Sequence, residues 1–255
     1  MLVLGHRGSR VPGPENTPEA VRSALAAGAD GVEVDVRRTR DGRLVCVHDP
    51  VVPGELSTDG DGSLRRVVVE HDAAALGLPS ISGVLDAGAG GRTVLEVKNR
   101  RRQPDYDGRR ATTASLLLAE LDRRRAAGVE DDVVVSSFDA TAITVVRAAG
   151  LRTAQLTLPG IPVTAGLRLL DRGGHPELHA HVSALPVRMP RRAAAAVARA
   201  HADGATLIVW TVTSVTEALR FRDIGVDGVI CDDPAAVVRA LGAGSPEGPP
   251  EPVSR

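Results

Sequence analysis

Short β-forming runs alternate with helix-forming stretches along most of this 255-residue chain, and that alternation limits the fold more than any other feature. "MLVLG" (1–5) leads to "TPEAVRSALAAGA" (17–29), where Thr17 can cap a helix and Pro18 suits its first turn. "GVEVDV" (31–36) and "RLVCVH" (43–48) are joined by the turn "RDGR". "TVLEVKN" (93–99), "DVVVSSF" (132–138), "RTAQLTL", "HAHVSAL", "ATLIVWTV" and "VDGVICDD" then each precede a helical pattern. Gly28, Gly128, Gly150, Gly204 and Gly225 fall at helix ends, as C-terminal caps require. About eight strand-plus-helix units in a chain of this length fit a (β/α)8 barrel of the α/β class. A doubly wound sheet is the alternative, because periodicity alone does not close a barrel.

The domain is expected to span 1–242, with a small insertion at about 50–80 after the second strand unit. That insertion lacks a clean period and is rich in Gly, Asp and Ser. The Pro/Gly-rich end "AGSPEGPPEPVSR" (243–255) reads as a disordered tail. A formal net charge of −1 gives no electrostatic case for nucleic acid or an anionic membrane. No apolar stretch approaches the length of a membrane span. The opening "MLVLGHRGSR" has no charged region, apolar run and cleavage site in succession, so the expected location is the cytoplasm. Two cysteines imply no disulfide framework.

The strands carry an unusual polar pattern. Val32, Val34 and Val36 share one face of their strand, and Glu33 and Asp35 share the other. Unpaired buried carboxylates are costly, so something cationic must lie between them. A salt bridge to a neighbouring lysine or arginine is one reading. The pattern recurs, however. Glu96 and Lys98 share a face of "LEVKN", His48 ends "LVCVH", and His6 ends the first strand just before Arg7. All lie near carboxyl ends of predicted strands, where a parallel barrel builds its active site. Three carboxylates suit one hard divalent cation, Mg²⁺ or Ca²⁺. Two histidines suit a general acid and base near neutral pH. Arg7 and Lys98 suit an anionic substrate such as a phosphate. Together these groups point to metal-assisted cleavage of a phosphate ester.

The motifs "HRG" (6–8), "PENT" (14–17), "EVD" (33–35), "HD" (48–49), "LEVK" (95–98), "SSF" (136–138), "WTV" (210–212) and "GVDGVICDDP" (225–234) resemble, in that order, the glycerophosphodiester phosphodiesterases. The resemblance runs from about residue 3 to 240. It implies a TIM barrel with a small insertion after the second strand. It also implies hydrolysis of a small-molecule glycerophosphodiester to sn-glycerol 3-phosphate and an alcohol. By resemblance, Glu33, Asp35 and Glu96 are the metal ligands and His6 and His48 the acid/base pair. Arg7 and Lys98 contact the phosphate, and Trp210 walls the pocket. Glu15 and Asn16 are expected near the substrate, although Asn16 reads equally as a turn residue.

Some features depart from the family pattern. Cys231 stands where the family usually has Thr, a position that suits packing. The insertion holds no Phe, Tyr or Trp, which favours a small polar head group over a lipid tail. His179 and His181 share a strand face but show no third ligand, so their reading is structural. Two other functions compete. One is a phospholipase D-like barrel resembling the sphingomyelinases D, which the aromatic-poor insertion disfavours. The other is a catalytically inactive barrel used for binding, whose histidines and carboxylates would be free to drift.

Overall fold

The computed structural model describes residues 1–10, 13–53, 65–173 and 176–242. The expected tail 243–255, part of the insertion (54–64) and His175 lie outside the described residues. Eight strands run parallel: β1 (Leu2–His6), β2 (Gly31–Arg38), β6 (Arg92–Val97), β7 (Val133–Ser137), β8 (Arg152–Leu156), β9 (Glu177–His181), β10 (Thr206–Val212) and β11 (Gly228–Cys231). Each pairs with the next, and β1 pairs with both β2 and β11, so the sheet closes on itself. Closure decides for the barrel against the doubly wound sheet. Among the described residues, three further strands, β3 (Leu44–Cys46), β4 (Val51–Pro53) and β5 (Arg65–Val67), belong to the excursion after β2.

Helices α1 (Pro18–Ala26), α3 (Ile81–Ala87), α4 (Thr112–Ala126), α5 (Ala140–Ala148), α6 (Val163–Gly173), α7 (Pro190–Ala202), α8 (Val215–Asp223) and α9 (Pro234–Gly242) cover the outside, and the short α2 (Ala73–Leu76) lies in the excursion. Thr17 caps α1 by accepting from the Ala20 N–H at 3.1 Å. Strand alternation divides the apolar residues into two layers. Val32, Val34, Val36, Leu95 and Val135 face outward onto Val21, Ala24, Ile81 and Leu117 of the helices. Leu4, Val94, Val134, Ala154, Ile208 and Ile230 form a separate strand-only cluster inside the barrel. Cys46 and Cys231 are buried in the outer layer, in keeping with a packing role.

"RLVCVH" is not a barrel strand. Residues 44–46 run antiparallel to the end of β2, with Cys46 opposite Val36 and Leu44 opposite Arg38. The turn at 39–43 therefore sends the chain past the rim and back again. This return, rather than the end of a parallel strand, delivers His48 to the mouth of the barrel. Beyond it, β4 and β5 pair antiparallel, and Val45, Val52 and Val68 share a small apolar cluster with Leu76 and Leu78.

Candidate active site

Alternation along β2 sends Glu33, Asp35 and Arg37 inward, and the β2–β6 register sets Asp35 beside Glu96. One oxygen from each of Glu33, Asp35 and Glu96 lies within 4.8 Å of the others. Among the described residues, no other three His, Cys, Asp or Glu side chains come close enough to share an ion. Lys98 Nζ reaches Asp35 Oδ1 at 2.7 Å and Glu96 Oε1 at 2.6 Å. Arg7 Nε lies 3.2 Å from Asp35 Oδ2, and the Arg7 backbone N–H donates to Glu33 Oε2 at 3.2 Å. Asn16 grips Asp35 twice. Its Nδ2 donates to Oδ2, and its Oδ1 accepts from the Asp35 backbone N–H, both at 2.9 Å. Asn16 takes a left-handed φ of 61°, a conformation in which Asn is enriched, so its turn and its clamp are one device.

Two neighbouring carboxyls respond oppositely to this setting. Burial would raise the Asp35 pKa, but Lys98 and Arg7 overcome it and hold the group well below the usual carboxylate range. Burial, then the charges of Asp35 and Glu96, push Glu33 well above that range. Glu33 Oε1 is buried and has no hydrogen-bond partner. An orphaned buried oxygen in a crowd of three carboxylates suits a hard, oxygen-seeking divalent cation. Lys98 is itself buried. Its pKa is raised because Glu96 and Asp35 outweigh the lowering effect of burial.

Each histidine meets a carboxylate at Nδ1. His6 Nδ1 meets Asp232 Oδ1 at 2.7 Å, and Arg10 meets the same oxygen at 3.3 Å. The hydrogen bond from His6 is the main reason the Asp232 pKa is lowered. His48 Nδ1 meets Asp49 Oδ1 at 2.7 Å. An acceptor at Nδ1 places that proton and leaves Nε2 for chemistry. His6, His48, the three acids, Arg7 and Lys98 all line one cavity of about 330 Å³.

Trp210 also lines this cavity, on a strand whose register against β11 shifts between Val209 and Val212. Its Nε1–H donates to the His179 carbonyl at 3.0 Å, and its ring packs edge-on against Phe138 and His181. His181 thus serves the aromatic wall, and His179 is buried 3.2 Å from Glu177. Glu15 and Asn16 do not line the cavity. Glu15 binds Arg7 at 2.5 Å and Arg10 at 3.3 Å. Their side chains hold Arg7 and Asp35, which do line the cavity.

Sequence reading missed Asp232, Asp49, Arg37 and Phe138. Asp232, Phe138 and Asp49 sit inside quoted motifs, "GVDGVICDDP", "SSF" and "HD", and the first two directly follow a strand. Arg37 continues the period-2 series from Glu33 and Asp35 by one more step.

Comparison with known proteins agrees with this geometry. The model of the "Glycerophosphoryl diester phosphodiesterase family" matches residues 6–236. A glycerophosphodiester phosphodiesterase of Caldanaerobacter subterraneus subsp. tengcongensis is 28% identical over 253 residues, covering 95% of this chain and 98% of the relative. The crystal structure of a glycerophosphodiester phosphodiesterase from Thermotoga maritima superposes with a TM-score of 0.72 at 22% identity, covering 94% of this chain and 97% of the other. An Oleispira antarctica phosphodiesterase in complex with the product sn-glycerol-3-phosphate gives 0.76 at 23% identity, covering 95% and 97%. These two structural likenesses establish the fold.

Proposed function

The chain belongs to the glycerophosphoryl diester phosphodiesterase family, and on that premise we propose that it hydrolyses glycerophosphodiesters to sn-glycerol 3-phosphate and an alcohol with one Mg²⁺ or Ca²⁺. The observation that carries the reading is the convergence of Glu33, Asp35 and Glu96 on one point of the cavity that His6 and His48 also line. The product named for the Oleispira antarctica neighbour is the one expected here.

Glu33, Asp35 and Glu96 would hold the cation. When bound, it supplies positive charge that polarises the non-bridging phosphate oxygens. Arg7 stays cationic beside Asp35 and Glu15, and it presents its guanidinium to the same anion. Of His6 and His48, one takes the proton from the nucleophile and the other gives one to the leaving alcohol through Nε2. Asp232 meets His6 at Nδ1 and Asp49 meets His48 at Nδ1, which leaves each Nε2 for that transfer. The nucleophile is water or the neighbouring glycerol hydroxyl. In the second case a cyclic phosphate forms and is then opened, and a ³¹P time course would reveal it.

The decisive experiment is phosphodiester hydrolysis with and without chelator. EDTA should abolish release of sn-glycerol 3-phosphate from glycerophosphocholine, and added Mg²⁺ or Ca²⁺ should restore it. Full activity in a protein shown to be metal-free would overturn the three-carboxylate assignment.

A further inference from the structure

We propose that Arg37 is a positioning residue for His48, holding its backbone through a fork that the loop after β6 locks in place. The inference rests on the role proposed for His48. Arg37 is only 1% exposed although it carries a full charge. Its Nε and one Nη both donate to the His48 carbonyl, at 3.0 and 2.6 Å. Its other Nη reaches Asp105 Oδ2 at 2.5 Å, and Gln103 Oε1 accepts from both Nη groups at 3.3 Å. Asp105 is itself buried, and Arg38 donates to its backbone carbonyl at 2.7 Å. A charged pair placed this deep needs every donor directed, and the guanidinium directs two of them to one carbonyl.

His48 needs such an anchor. The antiparallel pairing of β3 ends at Cys46, and the Val47 N–H makes a last bond to the Asp35 carbonyl at 3.1 Å. Among the described residues the imidazole of His48 hydrogen-bonds only to Asp49, whose side chain is 72% exposed. A surface carboxylate screened by water cannot fix a ring. The rigid element at this point is β2, and Arg37 is the group that reaches from β2 to the histidine's own backbone. The same guanidinium ties down the 98–111 loop, whose Lys98, Asn99, Arg100 and Gln103 also line the cavity. One buried fork therefore sets the general acid–base residue relative to the acids on β2.

The test is Arg37→Lys in the full chain. Lysine keeps a charge opposite Asp105 but is a point donor and cannot reproduce the fork. In ¹H–¹⁵N spectra of the histidine rings, the His48 signals should move and those of His6 should stay. With glycerophosphocholine and Mg²⁺, kcat should fall about 10- to 100-fold with KM changed less than about twofold, because a displacement near 1 Å is enough for such losses. In a His48→Ala background, Arg37→Lys should cause no further loss of kcat. Unmoved His48 signals, or the same fold-loss with and without His48, would overturn the inference. If Arg37→Lys folds poorly, the pair Arg37→Met with Asp105→Leu removes both buried charges and carries the same comparison. The ring signals do not require turnover. A wild-type chain that hydrolyses no phosphodiester would thus count against the proposed function, and the spectra alone would decide the role of Arg37.

Discussion

Glu33 and Asp35 stand two residues apart on one strand face, yet their neutralisation should have opposite effects. Glu33 has an orphaned oxygen and a raised pKa, so Glu33→Gln relieves repulsion and leaves no cation unpaired. Asp35 accepts from Lys98 and Asn16 and pairs with Arg7. Asp35→Asn takes one carboxylate from both Lys98 and Arg7, which keep Glu96 and Glu15, and should cost about 1–3 kcal/mol. Urea denaturation in EDTA should therefore rank Glu33→Gln at or above wild type and Asp35→Asn well below, with metal affinity lost in both. Equal destabilisation would contradict the asymmetry. The sign of the pH dependence follows from the same groups. A folded-state pKa raised above the unfolded value means that the native state binds the extra proton. The metal-free wild type should accordingly lose stability as pH rises above about 4.3, the ordinary Glu value, and Glu33→Gln should show a flatter profile. Asp35 contributes with the opposite sign, stabilising above its unfolded pKa and losing that contribution only in strong acid. The histidines are predicted to act on turnover rather than on metal. His6→Ala and His48→Ala should each lower kcat by about 10²–10⁴. Asp232→Asn should give a smaller loss than His6→Ala, since the ring remains and only its charge partner goes. A near wild-type kcat in either alanine variant, on a substrate with an unactivated leaving group, would remove that histidine from the chemistry.

At the scale of the elements, much of the site was legible because a strand has a period of two. Glu33 and Asp35 share a face in any β-strand, whatever the sheet around them. The partners that decide their charge were not legible. Asn16 reaches Asp35 across 19 residues, and Asp232 reaches His6 across 226, and such pairings exist only once the barrel is closed. The excursion at 39–48 misled for a related reason. A hydrophobic run such as "RLVCVH" has the same pattern whether its strand runs parallel in the barrel or antiparallel beside it. Barrel closure also sets how tightly elements approach. Gly31 opens β2 against β6, and a Cβ built on it would lie 2.0 Å from the Arg92 carbonyl oxygen. Gly31→Ala must push the two strands apart and should cost about 1–3 kcal/mol. It should also weaken metal binding, since the β2–β6 register brings Asp35 to Glu96. Gly150→Ala, at a helix end with φ of 82° and open space around it, should cost only about 1 kcal/mol and leave metal affinity unchanged. Chemical denaturation with isothermal titration of Mg²⁺ would separate the two variants. Equal metal affinity in both would show that the β2–β6 spacing does not set the site.

At the scale of the whole molecule, the question is which phosphodiester the barrel mouth accepts. The chain has only four aromatic residues, two Phe, one Trp and one Tyr. The sequence showed none in the insertion, and the structure adds where they are. Phe221 is in the outer core, whereas Phe138 and Trp210 form a wall of the cavity on the β7 and β10 side, next to Leu156, Leu158 and Pro159. The cavity is thus apolar on one side and charged on the other, a division that suits a glycerol backbone or small head group beside a phosphate. Its volume of about 330 Å³ lies at the small end of ligand pockets, which run from about 300 to 1,000 Å³. An acyl chain gains roughly 0.8 kcal/mol per CH₂ only where apolar surface covers it along its length. Among the described residues, two rings and three aliphatic side chains cover a few carbons, not a whole chain. Deacylated glycerophosphodiesters should therefore have a higher kcat/KM than lysophosphatidylcholine or sphingomyelin. The measurement is a competition among glycerophosphocholine, glycerophosphoethanolamine, lysophosphatidylcholine and sphingomyelin at equal concentration, below any micellar threshold. Preference for either lipid would mean that the Phe138–Trp210 wall continues into an acyl subsite, and Trp210→Ala should then abolish that preference while sparing the deacylated substrates.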